Sequence, residues 1–593
     1  MLPKTRILSG LRQWDQQAPW WLTLFLGLAC VGFGAVIVSR PFTSLLMLRL
    51  LIVVLLAVSS AADLVWASRS QSRRWTAVAG SGWLSAALAV YLYPGLALGA
   101  LAAVVGVALV VGGLVRVLVV LRGDGEDRVA QLLGALTVVI FGALALVWRD
   151  VTLLAIAVGF GARTLLFGCV QVVKAWQAAR GGRTELKEPP SCRRRLRGRP
   201  RTAAMACSLV VALGLLAVSI TLHRASPTPD AFYRPPPSVP AAPGALLRSE
   251  PFTQAVPKNA RAWRILYTTT REDSVPAVAS GIVLTARNPP AGLHPVIAWA
   301  HGTTGESSSC APTLLQKPFA AGALPALDQI IANGWTLVAT DYTGLGTAGP
   351  HPYLIGQGEA RSVLDAVRAA RHLAEVHVSH QTVVWGHSQG GHAALWTGQI
   401  QPAYAPDVPL AGVAALAPAS DLIGLVANLN TVPGGSVFAS YVVTAYSQTY
   451  PEVSFNRLIR PEAQAQVRGY AGRCLSEPEM LISIMSSLMS GERIFRGDPT
   501  RGTAGARLRQ NTPTGYIQAP LLIAQGESDG LILPTVQRAF VQHACQTGDT
   551  IDYRTYPGRN HVGVVAPGSP LIPELLRWTQ DRANGASPHN ICK

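Results

Sequence analysis

The segment TVVWGHSQGGHAALW, residues 382–396, holds the residues best suited to chemistry. Gly386-His387-Ser388-Gln389-Gly390 fits G-x-S-x-G, with a strand-like apolar run before it and a helical run after it. A sharp strand-to-helix turn would lift the Ser388 hydroxyl clear of its neighbours as a nucleophile, and the glycines would leave room for that turn. The pentapeptide alone is common by chance, so the flanking runs give it its weight. The competing role for Ser388 is a helix N-cap. A serine nucleophile needs a base, and the base needs an acid to orient it. In such turns the chain order is serine, acid, histidine. His543, His561 and His589 follow Ser388. His561 lies in a loop, YPGRNHVGVV, after the strand-like TIDYRTYP, whereas His543 is in a helical run and His589 in a polar tail. His561 is therefore the expected base. Asp529 ends the strand-like PLLIAQGESD and is the expected acid, with Glu527 as the alternative. Asp552 lies within a strand and reads as surface. An oxyanion would need two backbone N–H donors. Gln389, next to the nucleophile, supplies one. Thr303, in the loop HGTTGESSSC, is expected to supply the other, with Thr304 next. His301, His387 and His392 read as structural.

These residues require a scaffold that aligns strand ends. From about residue 261, short apolar runs alternate with helical patterns. WRILYTTT and ASGIVLTAR suggest an antiparallel start. PVIAWAHG, WTLVATDY, TVVWGHS, LAGVAALAP and PLLIAQGESD suggest a buried parallel sheet. The pattern predicts an α/β domain over 261–593 with its chemistry at the carboxyl ends of the strands. About a hundred residues separate the runs near Pro418 and Pro520, far more than an ordinary loop. Residues 421–515 are expected to form a helical cap. Its methionine-bearing stretch MLISIMSSLMSG, including Met485 and Met489, is expected to hold an acyl group on the inner face.

The first 222 residues are different in kind. They carry 23 Lys/Arg against 8 Asp/Glu, while residues 223–593 carry 27 against 24. The basic surplus lies between apolar runs, where it orients a membrane protein. No nucleic-acid recognition motif accompanies it, which argues against a nucleic-acid partner. Runs of spanning length occur near 20–39, 43–66, 76–93, 95–121, 129–148, 151–176 and 203–222. The segments starting at Arg40, Tyr93 and Trp148 align without gaps, each after another apolar run and a very short turn. This predicts an all-α transmembrane domain of repeated helical hairpins over 1–180. Ser60, Gly113 and Gly168 share one repeat position, as close packing in lipid favours. Asp63, Arg116 and Gln171 share another and are expected to reach the inner interface. Arg49 and Arg163 lie deeper. A basic cytoplasmic loop over 181–202, a seventh helix over 203–222 and a proline-rich linker over 223–260 complete the expected order. All strongly basic loops fall on one side, expected to be cytoplasmic. That places residues 223–593 outside the cytoplasmic membrane.

Residues 20–176, with their short repeated apolar hairpins, resemble the HdeD-type acid-resistance membrane proteins. The blocks AHGTTGESSSCAPT, ATDYTGLGTAGPHPYLIGQGEARSVLDAVRAAR, WGHSQGGHAALW, GESDGLILP and GRNHVGV occur in order within 261–585. Together they resemble the secretory lipase family of α/β-hydrolases. That resemblance implies an esterase or triacylglycerol lipase acting through Ser388, Asp529 and His561, without metal or organic cofactor. It leaves DYTGLG as a structural loop. The expected partners are an ester or lipid substrate and the bilayer itself. Four of the eight cysteines, Cys310, Cys474, Cys545 and Cys592, fall in the outer domain. An even number in an oxidising compartment suggests bridges, with three pairings open. The lipase resemblance implies Cys310–Cys474, joining oxyanion loop to cap, which leaves Cys545–Cys592. Cys30, Cys169, Cys192 and Cys207 are expected to stay reduced. Two rival functions remain: an acyltransferase using the same triad, and a stress-protection or transport membrane protein with an accessory hydrolase.

Overall fold

The computed structural model describes residues 19–39, 41–67, 73–122, 128–179, 198–225, 227–290, 295–376, 378–490 and 493–592. The chain divides into two compact units, one of Met1–Thr221 with Arg460–Gln466 and Leu488–Glu492, the other of Leu222–Ile459, Val467–Ser487 and Arg493–Lys593.

The first unit is helical. Its helices are α1 (Trp20–Ser39), α2 (Pro41–Ala67), α3 (Arg73–Leu92), α4 (Pro94–Arg122), α5 (Arg128–Val147), α6 (Arg149–Ala179) and α7 (Gly198–Ala225). Proline opens α2 and α4, where its fixed φ suits a helix start and its missing N–H costs nothing. Helices flanking the one-residue breaks at Tyr93 and Trp148 are not the tightest pairs. Close packing instead joins α1 to α6, α2 to α3 and α4 to α5. Helices laid side by side usually need a connection of about 2–5 residues, and a single-residue break is too short. Glycine makes these approaches possible. A Cβ on Gly142 would lie 2.7 Å from the Val110 nitrogen, and one on Gly168 would lie 2.6 Å from that of Val31. Among the described residues, four segments are long and apolar enough to cross a membrane: Ala100–Arg122, Arg128–Val147, Arg149–Ala179 and Thr202–His223. Trp20–Val36 and Leu45–Val58 are shorter apolar stretches. Gln171 is buried within α6, while Arg116 is exposed. The Asp63 side chain, Cys192 and most of the basic loop lie outside the described residues.

The second unit carries a nine-stranded sheet. The strands are β1 (Leu246–Phe252), β2 (Ala260–Thr270), β3 (Pro276–Ala286), β4 (Val296–Ala300), β5 (Thr336–Thr343), β6 (Thr382–His387), β7 (Leu410–Leu416), β8 (Leu521–Gly526) and β9 (Ile551–Tyr556). Their spatial order is β1-β2-β3-β5-β4-β6-β7-β8-β9. β1, β2, β3 and β5 pair antiparallel in succession, and the sheet from β5 to β9 is parallel. β4, β5, β6 and β8 are buried along their whole length, which explains their unbroken apolar runs. Helices α8 (Gly356–Ala370) and α9 (Gln389–Tyr404) pack on one face through residues such as Val363, Val367 and Leu395. On the other face, Trp299, Trp335 and Trp385 form a core with Leu575 and Trp578.

The expected linker over 223–260 needs correction. Phe232 and Tyr233 are buried, the Arg264 guanidinium lies 4.2 Å from the Phe232 ring centre, and the Tyr233 hydroxyl donates to Thr313 at 2.8 Å. β1 follows as the edge strand, where Pro251 costs no ladder bond that a central strand would need. This segment therefore belongs to the α/β unit, whose sheet starts at Leu246 rather than near 261. Between β7 and β8 the chain is helical. It includes α10 (Leu422–Leu429), α11 (Gly435–Thr449), α12 (Met480–Ser490) and α13 (Gly502–Gln510). After β8 come α14 (Pro534–Thr547) and α15 (Leu571–Ala583).

Candidate active site

Ser388 sits between the end of β6 and the start of α9 with φ 57° and ψ −115°. An L-residue holds such a backbone only under constraint. The constraint comes from close backbone approach on both sides. A Cβ on Gly386 would lie 1.9 Å from the Gly390 carbonyl oxygen, and one on Gly390 would lie 1.9 Å from that of Ala300. The Ser388 N–H donates to the Leu416 carbonyl at 2.9 Å, and its own carbonyl accepts from the His392 N–H at 3.1 Å.

The loops after β8 and β9 bring the other two groups to this serine. The Ser388 hydroxyl donates to His561 Nε2 at 2.8 Å, and His561 Nδ1 donates to Asp529 Oδ2 at 2.8 Å. Asp529 is buried. Its Oδ1 accepts the backbone N–H groups of Leu531 and Ile532, each at 2.9 Å, and Gln525 Nε2 donates to Oδ2 at 3.1 Å. These donors fix the carboxylate and leave Oδ2 aimed at the imidazole. The alternatives lie elsewhere. His543 is exposed on α14, His589 stands 3.5 Å from Asp552, and Glu527 is exposed and bonded to Thr555. Asp552 pairs with Arg554.

Thr303 and Gln389 line the same small cavity as Ser388. The Thr303 hydroxyl is 3.0 Å from the Tyr353 hydroxyl. The cavity is about 20 Å³, room for about one water. Its apolar wall comes from Leu425, Leu429, Phe438, Val442, Leu531 and Ile532. The expected methionine wall is thus corrected. Met485 and Met489 are 57% and 52% exposed and do not line this cavity. Both lie on the face of α12 that turns away from the domain core, while Met480 points inward.

The surrounding histidines are neutral braces. Burial pushes His387 down to about 3, with the neighbouring His561 adding to the effect. His387 Nε2 donates to the His561 carbonyl at 3.0 Å, and the two rings lie 4.9 Å apart. Burial lowers His301 to about 4 and His351 to about 3. In DYTGLG, Asp341 accepts from Ser280 and from both the backbone and hydroxyl of Thr313, so this loop is a brace. Cys310 and Cys474 form one disulfide and Cys545 and Cys592 another, each with 5.1 Å between Cα atoms. Among the described residues, Cys30, Cys169 and Cys207 are free. Glu359, His351 and Gln525 also surround the site, and sequence reasoning did not single them out. GQGEARS entered only as part of a longer block resembling the lipase family, with no role for Glu359 itself.

A sheet of this order, with a serine at the β6 turn and an imidazole and carboxylate on later loops, has the arrangement of the α/β-hydrolase fold. Residues 324–590 match the family model described as Secretory lipase. Residues 78–143 and 132–186 match Short repeat of unknown function (DUF308), the HdeD-type membrane family. A relative from Mycobacterium tuberculosis (strain CDC 1551 / Oshkosh), named "Probable inactive lipase MT1628", is 28% identical over 395 residues, covering 60% of this chain and 83% of its own. Lipase A of Arthroderma benhamiae is 23% identical over 396 residues, covering 62% and 82%. The crystal structure of Candida antarctica lipase A superposes with a TM-score of 0.53 at 20% identity, over 62% of this chain and 89% of its own, and shows the shared fold. The apolar helices and the membrane-family match make the chain a membrane-associated one.

Proposed function

We propose that this protein is a membrane-anchored serine hydrolase that cleaves lipid or other carboxylic esters outside the cytoplasmic membrane. The observation that carries the reading is the continuous line from Ser388 Oγ through His561 to Asp529, with both hydrogen bonds at 2.8 Å. His561 Nε2 accepts the Ser388 proton as the hydroxyl attacks the ester carbonyl. Asp529 holds the Nδ1–H tautomer and stabilises the imidazolium that forms. The backbone N–H groups of Gln389 and Thr303 stabilise the tetrahedral oxyanion. The imidazolium then protonates the leaving alcohol. Water, activated by the same imidazole, releases the acid from the acyl-enzyme. His387 stays neutral beside His561 and so adds no positive charge to oppose the imidazolium.

The name of the mycobacterial relative speaks of that protein as inactive. Here all three groups are present and hydrogen-bonded in sequence. The basic loops support an inward-facing amino terminus, seven spans and an outward-facing hydrolase unit. Membranes containing the full chain should be labelled by a fluorophosphonate probe and should hydrolyse p-nitrophenyl esters. Ser388→Ala should abolish both. Undiminished hydrolysis by folded Ser388→Ala would exclude this serine chemistry.

A further inference from the structure

The strained Ser388 backbone needs something to hold the peptide that follows it. Its ψ angle sets the direction of the Gln389 N–H, the donor that our functional reading assigns to the oxyanion. Relaxing φ 57° and ψ −115° toward common values would rotate that N–H away. The Gln389 side chain is buried and held by two acceptors. Its Nε2 donates to Glu359 Oε1 at 2.8 Å and to His351 Nε2 at 3.2 Å. His351 can accept there because it is neutral and its Nδ1–H faces the Thr343 carbonyl at 3.3 Å.

Glu359 is the centre of this arrangement. It is fully buried in the first turn of α8. Oε1 also accepts the Leu354 N–H at 3.0 Å, and Oε2 lies 2.9 Å from His392 Nδ1. His392, one turn into α9, donates its Nε2–H to the Asn511 carbonyl at 2.7 Å. Asn511 Nδ2 in turn donates to the Tyr450 hydroxyl at 2.8 Å. One carboxyl group therefore grips the first residue of α9 and, through His392, its next turn. A surface carboxylate at a helix start would do neither. Burial of a carboxyl is costly unless its oxygens are paired, and this one has a partner on each oxygen.

We infer that Glu359 is a positioning residue: by clamping the Gln389 side chain it holds the Ser388–Gln389 peptide so that the Gln389 N–H points at the oxyanion. It touches no substrate. Its effect is confined to the transition state, where that N–H is used, so it acts on kcat rather than KM. Glutamine can replace it. In Glu359→Gln the side-chain carbonyl still accepts from Gln389 and Leu354, and the new amide donates to His392 Nδ1 while His392 keeps its Nε2–H bond to Asn511. Leucine fills similar space but accepts nothing.

The test rests on the serine-hydrolase reading and uses the full chain in detergent. Glu359→Leu is expected to lower kcat about 10- to 100-fold with KM within about two-fold, the scale of a displaced oxyanion donor. Affinity for a trifluoromethyl ketone, whose adduct with Ser388 carries the oxyanion, is expected to fall by the same factor. Glu359→Gln is expected to retain kcat. Gln389→Met keeps the backbone N–H and loses the clamp, so it should match Glu359→Leu, and the double variant should be no worse than either. Equal losses in Glu359→Gln and Glu359→Leu would overturn the clamp. So would a loss carried by KM, or unchanged kcat in Gln389→Met. Should Glu359→Leu fail to fold, Gln389→Met decides alone. If wild type shows no Ser388-dependent hydrolysis, the functional reading fails instead, and that is read before any Glu359 variant.

Discussion

Replacing Ser388 or His561 is expected to cost more than replacing Asp529. Ser388→Ala and His561→Ala should each reduce kcat about 10⁶-fold, and Asp529→Asn about 10⁴-fold, because the last leaves nucleophile and base in place. Steady-state ester hydrolysis measures all three. His351 makes a pH prediction. Its folded value, about 3, lies below the ordinary 6.5, so the unfolded chain binds the proton that the folded one refuses. Its contribution to stability is therefore present above pH 6.5 and is lost as pH falls toward 3. The slope is about 1.4 kcal/mol per pH unit in that window. His351→Asn should flatten the fall of unfolding free energy between pH 6.5 and 4 by that amount, as read by tryptophan fluorescence in denaturant. An unchanged slope would mean that His351 titrates freely when folded. The meeting of Ser388, His561 and Asp529 was legible because motif, strand end and chain order constrain the three positions together. Glu359 was not. Its contacts depend on α8 and α9 being packed side by side, and no local pattern around a helix-start glutamate announces that.

At the scale of elements, the cap shows what periodicity can and cannot reveal. The length of the insert and its apolar helical spacing predicted helices, and helices are present. They did not reveal which apolar face turns inward. Leu429 on α10 and Phe438 on α11 approach Ser388, whereas the methionine face of α12 turns outward. Phe438→Ala should therefore enlarge the cavity and raise kcat/KM for longer acyl esters relative to acetyl esters. Met485→Ser with Met489→Ser should leave that ratio unchanged, and a shift confined to the methionine variant would contradict this placement. β1 was missed for a related reason. The prolines before it imitate a linker, and the one within it, Pro251, is tolerated on an edge strand. The Cys310–Cys474 bridge ties the loop after β4 to the segment before α12, beside a backbone bond from the Leu475 N–H to the Thr304 carbonyl. It closes a long loop of chain, its cysteines 164 positions apart in sequence. Cys310→Ser should cost about 5 kcal/mol by the loop-entropy account, measurable as a lower denaturation midpoint.

For the whole molecule, two units of unlike composition share one chain. The sequence revealed the helical repeat through its spacing, but not which helices pack closest, because apolar surfaces in lipid carry little directional information. Glycine contacts decide it. Gly142→Leu should disrupt the α4–α5 pair and reduce recovery of folded protein in detergent, whereas Gly159→Leu, which faces open space, should not. Topology is tested separately. A reporter active only outside the membrane should work after Lys593 and be silent near residue 190, and the reverse would invert the chain. The second disulfide joins α14 to a tail that also pairs with β9 through the bond from the Ile591 N–H to the Ile551 carbonyl. Proteolytic scars in this region are thereby concealed. A protease that cuts once anywhere between Cys545 and Cys592 releases no fragment: the chain migrates at full length on a non-reducing gel and separates only when thiol is added.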